Sequence, residues 1–201
     1  MKPDKPRRAD NPDVDRFDRW AKSYDRSIGQ RFFFVPVHTR MLDVLEKARQ
    51  GDPPRCIVDI GCGTGRLLRA AASRWAGVLL QGIDPASNML EQARMLTPAA
   101  IFAEAPAESL ALPDQSADIV LSSISFHHWA DQARGIQEAA RVLRTGGFFC
   151  LADHVFLPAR LSGEKVRSRR EVRNLMERAG LVMRLQKAPL PFVCITLAQK
   201  L

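Results

Sequence analysis

No stretch of this 201-residue sequence approaches the roughly eighteen consecutive apolar residues that a membrane span requires. Residues Met1 to Arg19 are charged and dotted with proline rather than signal-like, so a cytoplasmic location without a membrane partner is expected. The four cysteines, Cys56, Cys62, Cys150 and Cys194, show no C-x-x-C spacing, and at least three of them fall in apolar runs. Neither a metal site nor a disulfide framework is expected from such a pattern. Aromatic residues are missing from the basic C-terminal segment, where Arg160, Lys165, Arg167, Arg169, Arg170, Arg173, Arg178, Arg184 and Lys187 face only Glu164, Glu171 and Glu177. An excess of cations attracts phosphates. Without a stacking platform beside it, the segment is read as a solvated face and not as a specific nucleic-acid site.

With 46% hydrophobic residues the chain can bury a real core. The expected organisation is a flexible tail over residues 1–12 and a single domain over 13–201, with lid helices over 13–50. Val14, Phe17, Trp20, Ala21 and Tyr24 recur at helical spacing, and a second helix is expected over Val35 to Arg49, ended by Gly51 and the Pro53-Pro54 pair. Strands are expected at Cys56 to Ile60, Val78 to Ile83, Ala100 to Ala103, Ala117 to Ser122 and Gly147 to Ala152. Helices at Arg66 to Trp75, Ala86 to Leu96 and Asp131 to Leu143 separate them, and another is expected over Ser168 to Ala179. Apolar strands alternating with helices predict a parallel sheet covered on both faces. Leu181 to Lys187 and Phe192 to Ala198 are joined by a link too short for a crossover, so they should pair antiparallel. The fold class is therefore α/β, a Rossmann-like, doubly wound, seven-stranded and mostly parallel sheet with an antiparallel C-terminal hairpin.

Ile57 to Arg66 reads as an apolar strand running into a glycine-rich turn that opens a helix, which lets main chain and helix amides approach a ligand. A dinucleotide fingerprint would need a third glycine at Arg66 or Leu68, so a nicotinamide cofactor is disfavoured. Asp59 stands at the strand tip, where it can order the loop and reach a ligand's polar end. Asp84 ends the next strand, where a carboxylate can accept both hydroxyls of a ribose or cap the helix that begins near Ala86.

These residues resemble the class I S-adenosylmethionine-dependent methyltransferases, and within them the small-molecule group, methyltransferase type 11, that includes the quinone-biosynthesis C-methyltransferases. The resemblance runs over residues 16–153. Phe17 to Asp25 resembles the N-terminal lid helix, Val58 to Gly65 the acidic motif with alternating glycines, and Gly82 to Met89 the segment that holds ribose and lines adenine. Ala107 to Asp114, Ala117 to Val120 and Phe126 to Trp129 resemble the fourth-strand region, and Arg141 to Gly147 the turn into the fifth strand. The resemblance implies S-adenosyl-L-methionine as cofactor, held by Tyr24, Asp59, Gly61, Cys62, Gly63, Gly65, Asp84, Pro85, Met89, Pro106, Ala107 and Ser122.

Pro106 departs from the family pattern, which carries an acid there for the adenine amino group. Adenine would instead be held by the Ala107 amide and apolar walls such as Met89, with Glu104 or Glu108 in support. The link between Asp153 and Ser168 is shorter than in relatives that carry extra substrate-binding structure, so the pocket is expected to be open, or completed by the N-terminal helices or by a second subunit of a homodimer. Methyl transfer is an in-line displacement that needs alignment and exclusion of water above all. Tyr24 is placed to reach the methionyl carboxylate, and His127, following the fourth strand, is the candidate general base. The expected function is methyl transfer to a small-molecule acceptor. An RNA methyltransferase and a non-catalytic cofactor-binding protein stand as alternatives, the former without an N/D-P-P-Y/F motif.

Overall fold

The computed structural model describes residues 12–24, 28–155, 166–190 and 192–201. The tail expected over residues 1–12 lies outside the described residues except for Pro12, which opens α1 (Pro12–Tyr24). Helix α2 (Ile28–Ala48) follows, then β1 (Cys56–Ile60), α3 (Arg66–Arg74), β2 (Leu79–Asp84), α4 (Ser87–Leu96), β3 (Ile101–Glu104) and β4 (Ala117–Ser123). A 3-10 turn (Phe126–His128) leads to α5 (Gln132–Val142), β5 (Leu143–His154), α6 (Arg169–Arg178), β6 (Leu181–Leu190) and β7 (Val193–Lys200).

The seven strands form one sheet in the order β3-β2-β1-β4-β5-β7-β6. β1 to β5 pair in parallel, and β7 runs antiparallel to both β5 and β6. The doubly wound arrangement expected from the alternating pattern is thus present, hairpin included. Successive strand residues serve opposite faces. Ile57, Ile119, Leu121 and Cys150 pack under α2, α3 and α4 through Met41, Leu45, Leu68 and Leu90. Val58, Val120, Phe149 and Leu151 pack under α5 and α6 through Ile136, Ala139, Val172 and Met176.

Three boundaries differ from the sequence reading by three residues or more. α2 begins at Ile28 rather than Val35 and carries Pro36 inside it; a proline suggests a helix start because its missing N–H costs nothing in the first turn. β6 continues to Leu190 through Pro189, which an edge strand tolerates because its outer side needs no donor. β5 starts at Leu143 rather than Gly147, with a register shift against β4 between Ala117 and Ile119.

The order reverses between β1 and β4, and the crevice outside the strand ends at such a switch point is where α/β sheets bind ligands. Above it lies α1, packed on α4 through Phe17, Ala21, Ala86 and Met89. Asp18 fixes the contact, its carboxylate accepting the Asn88 N–H at 2.8 Å at the start of α4.

Candidate cofactor site and its surroundings

A cavity of about 190 Å³ opens at this switch point. The turn after β1 contributes Asp59, Gly61, Cys62, Gly63 and Thr64, the tip of β2 contributes Asp84, Pro85, Ala86 and Met89, and the segment after β3 contributes Glu104 to Glu108. Beyond them stand Ser123, Ile124, Ser125, His128 and Trp129 from the end of β4, with Val14 and Phe17 of α1 and Phe34 and His38 of α2 closing the top. The N-terminal helices therefore wall the cavity, one of the two ways in which it was expected to be completed.

The glycine turn is shaped by close approach. Gly61 has φ 72° and its amide donates to Ile83 O at 2.8 Å; a Cβ there would collide with the Ser125 side chain. Asp84 locks the turn from the neighbouring strand. One carboxylate oxygen accepts the Gly63 N–H at 2.8 Å and the other the Ala86 N–H at 2.9 Å. It therefore orders both the glycine turn and the entry to α4, while the carboxylate also faces the cavity. Burial, opposed by those two amides, pushes its pKa up to about 6.

Asp59 is the contrasting acid. It is 2% exposed, and its Oδ1 has no hydrogen-bond partner among the described residues. Burial and the neighbouring Asp84 push its pKa up to about 8. A buried carboxylate oxygen without a donor is costly, and such a cost at a cavity wall marks a place for a cationic or hydrogen-bonding ligand. His38 behaves in the opposite sense: burial, then Arg66 and Arg69, lower its pKa to about 3, so it is a neutral imidazole at neutral pH.

Of the residues expected at the cofactor, Asp59, Gly61, Cys62, Gly63, Asp84, Pro85, Met89, Pro106 and Ala107 share this cavity. Gly65 does not line it; with φ 76° it makes the left-handed turn that starts α3. Ser122 is also displaced. It is fully buried, its hydroxyl 2.8 Å from that of Ser125, because strand alternation turns it away while Ser123 lines the cavity. The Tyr24 side chain lies outside the described residues. Of the two acids suggested near adenine, Glu108 accepts the Asp131 N–H at 2.8 Å, and Glu104 stands at the end of β3 on the cavity rim.

His127 does not line the cavity. It is buried with Nδ1 2.7 Å from Asp153 Oδ1, and its N–H donates to Asp153 Oδ2 at 2.8 Å. After β4 the imidazole that lines the cavity, opposite His38 of α2, is His128, whose ring centroid lies 3.9 Å from that of His127 and 5.1 Å from Phe17 of the lid. Sequence reasoning passed over Asp153, which has no motif around it, and Ile124, whose positive φ of 53° makes the sharp turn at the tip of β4. A β-branched residue in that region is strained, and such strain clusters at ligand sites.

Fold and site together define a Rossmann-like α/β protein whose glycine turn lacks the spacing of a pyrophosphate-binding fingerprint. Residues 58–151 match the family model described as a methyltransferase domain, so this part of the chain is similar to S-adenosylmethionine-dependent methyltransferases. An uncharacterized methyltransferase of Mycobacterium tuberculosis is 40% identical over 93 residues, 46% of this chain and 37% of that protein. A ubiquinone/menaquinone biosynthesis C-methyltransferase of Campylobacter jejuni is 35% identical over 102 residues, 48% of this chain and 43% of that one. The chain thus spans well under half the length of these relatives. Among solved structures, the PH0226 protein of Pyrococcus horikoshii superimposes with a TM-score of 0.76 at 16% identity, covering 92% of this chain and 99% of that one; this likeness bears on the fold alone.

Proposed function

We propose that the protein transfers a methyl group from S-adenosylmethionine to a small-molecule acceptor held under α1 and α2. The observation that carries the reading is the pair of buried acids at adjacent strand tips, Asp84 bonded to the glycine turn and Asp59 with an oxygen left over. The residues fit the cofactor. Asp59 offers its carboxylate to the ammonium group of the methionyl end, and each Asp84 oxygen keeps a lone pair for a ribose hydroxyl after serving one amide. Met89, Pro106 and Ala107 supply apolar walls for adenine. When bound, the cofactor supplies an electrophilic methyl group on a sulfonium.

The protein's remaining work is alignment and exclusion of water. Phe17 and Phe34 cover the cavity from the lid helices, and their ring faces favour a nearby positive charge. The acceptor end is bounded by Phe34, His38, Ile124 and His128, two apolar side chains and two imidazoles, the mixture of apolar wall and placed polar groups that small-molecule sites have. His128 is the imidazole placed to meet an acceptor's proton. His127, the base expected from the sequence, stands behind it on Asp153.

Calorimetry and thermal unfolding with S-adenosylhomocysteine and NAD in parallel test the cofactor. Binding of the first with a raised Tm, and none of the second, is the expected result; the reverse would replace the methyltransferase reading with a dehydrogenase one. A mass-spectrometric screen for metabolites that gain one methyl group then identifies the acceptor.

A further inference from the structure

We propose that Arg66 binds the methionyl carboxylate of the cofactor, forming with Asp59 a two-sided clamp for its amino-acid end, and thereby makes the protein select carboxylated over decarboxylated adenosyl cofactors. The inference rests on the cofactor reading above and adds to it the group that reads the second charge of the ligand.

An amino acid at neutral pH carries both signs, and a cavity that buries it must answer both, because an unanswered buried charge is costly. Asp59 answers the ammonium group. Among the described residues lining the cavity, Arg66 is the single arginine or lysine. The imidazole nearest to it in charge, His38, is held neutral by burial and by Arg66 and Arg69, so it does not serve as the counter-charge.

The placement of Arg66 is equally specific. It is the first residue of α3, immediately after the left-handed turn at Gly65, so its side chain leaves the same loop whose main chain approaches the ligand. Its guanidinium carbon lies 5.7 Å from the centroid of the Phe34 ring, a cation–π contact that ties the side chain to α2 above the cavity. The N-terminal end of α3 adds partial positive charge at the same point. A planar guanidinium with several N–H donors suits a carboxylate better than a single hydroxyl does, and this sets Arg66 against Tyr24, the residue assigned to the carboxylate from sequence.

Calorimetric titration of S-adenosylmethionine and decarboxylated S-adenosylmethionine into the wild-type chain, Arg66→Met, Arg66→Lys and Tyr24→Phe separates the possibilities without an acceptor. The wild type is expected to prefer the carboxylated ligand by about ten- to a hundredfold, the range of a charge-assisted hydrogen bond. In Arg66→Met that preference should fall to within about threefold while affinity for the decarboxylated ligand is kept. Arg66→Lys should recover part of the preference and Tyr24→Phe should retain it. An unchanged preference in Arg66→Met, an equal loss for both ligands, or a preference that disappears in Tyr24→Phe instead would each overturn the clamp. Binding of neither ligand by the wild type would overturn the cofactor reading itself.

Discussion

At the cofactor end of the cavity the shape is set by main chain and by carboxylates on strand tips: Gly61 donates to Ile83, Gly63 to Asp84, and Ala86 to the same carboxylate. The end proposed for the acceptor has other architecture. Its walls are side chains from α1, α2 and the end of β4, brought together over more than half of the chain's length, and the bonded pair Asp153 and His127 sits behind the wall. Main chain fixed by neighbouring strands gives one ligand geometry, while side chains on packed helices can be exchanged without disturbing the sheet. The difference suits a constant cofactor and a variable acceptor.

The largest effect that would sharpen this contrast is on folding. Asp153→Ala leaves the buried His127 ring and the amides of His127 and His154 without their acceptor, and should cost about 3 kcal/mol of stability in urea unfolding. A loss of only a few tenths would mean that the pair plays no part in ordering the acceptor end.

At the cofactor end, Asp84→Ala should weaken S-adenosylhomocysteine binding by about 1 to 3 kcal/mol, measured by calorimetry on a variant whose thermal unfolding remains cooperative. Undiminished affinity would remove Asp84 from the ribose.

The third expectation concerns pH. With Asp59 near pKa 8 and Asp84 near 6 in the free protein, a ligand that requires their ionised forms releases protons on binding. Affinity for S-adenosylhomocysteine should therefore rise with pH, by about tenfold from pH 6.5 to 8. Titrations in buffers of different ionisation enthalpy would count the protons, and Asp59→Asn should abolish most of the slope. In the free protein the sign is opposite. The folded pKa of Asp59 stands above its reference value of 3.8, so its contribution to stability is complete below about pH 4 and is lost as pH rises through 8. Asp59→Asn should then be the more stable chain above pH 8, a flat pH profile in both chains being the contrary result.

The smallest expected effect is on cofactor binding at the other end. His127→Asn and His128→Asn should each leave S-adenosylhomocysteine affinity within about twofold, well under 1 kcal/mol, while turnover of the acceptor falls more for His128, which lines the cavity. A greater loss with His127→Asn would return the proton-accepting role to His127.

The same contrast explains what could be read from the sequence. The strand–glycine–helix turn, Asp84 at the next strand tip and the closing hairpin follow local patterns, and β1 runs over Cys56–Ile60 as expected. Ser122 and His127 were placed one position from residues that line the cavity, Ser123 and His128. The motif locates the end of β4, but the turn at Ile124, which sets the directions of the side chains beyond it, leaves no signature in a β-branched residue. Asp153 was invisible because its side-chain partner His127 lies 26 positions away, in the turn that follows β4. The expected end of β6 before Pro189 followed a local rule, where the freedom of an edge strand prevailed.

The bond between Asp18 and the first turn of α4 has a thermodynamic corollary. α4 begins three residues after Asp84 and carries Met89 in its first turn, so the lid helix is latched to the element that borders the proposed ribose and adenine positions. Docking of α1 and occupancy of the nucleoside positions are consequently two equilibria with a shared term, and linkage requires each to favour the other equally. A substitution at Asp18, which touches no ligand position, should then act as a remote control on cofactor affinity, and a bound nucleoside should slow amide exchange along α1 by the same free energy.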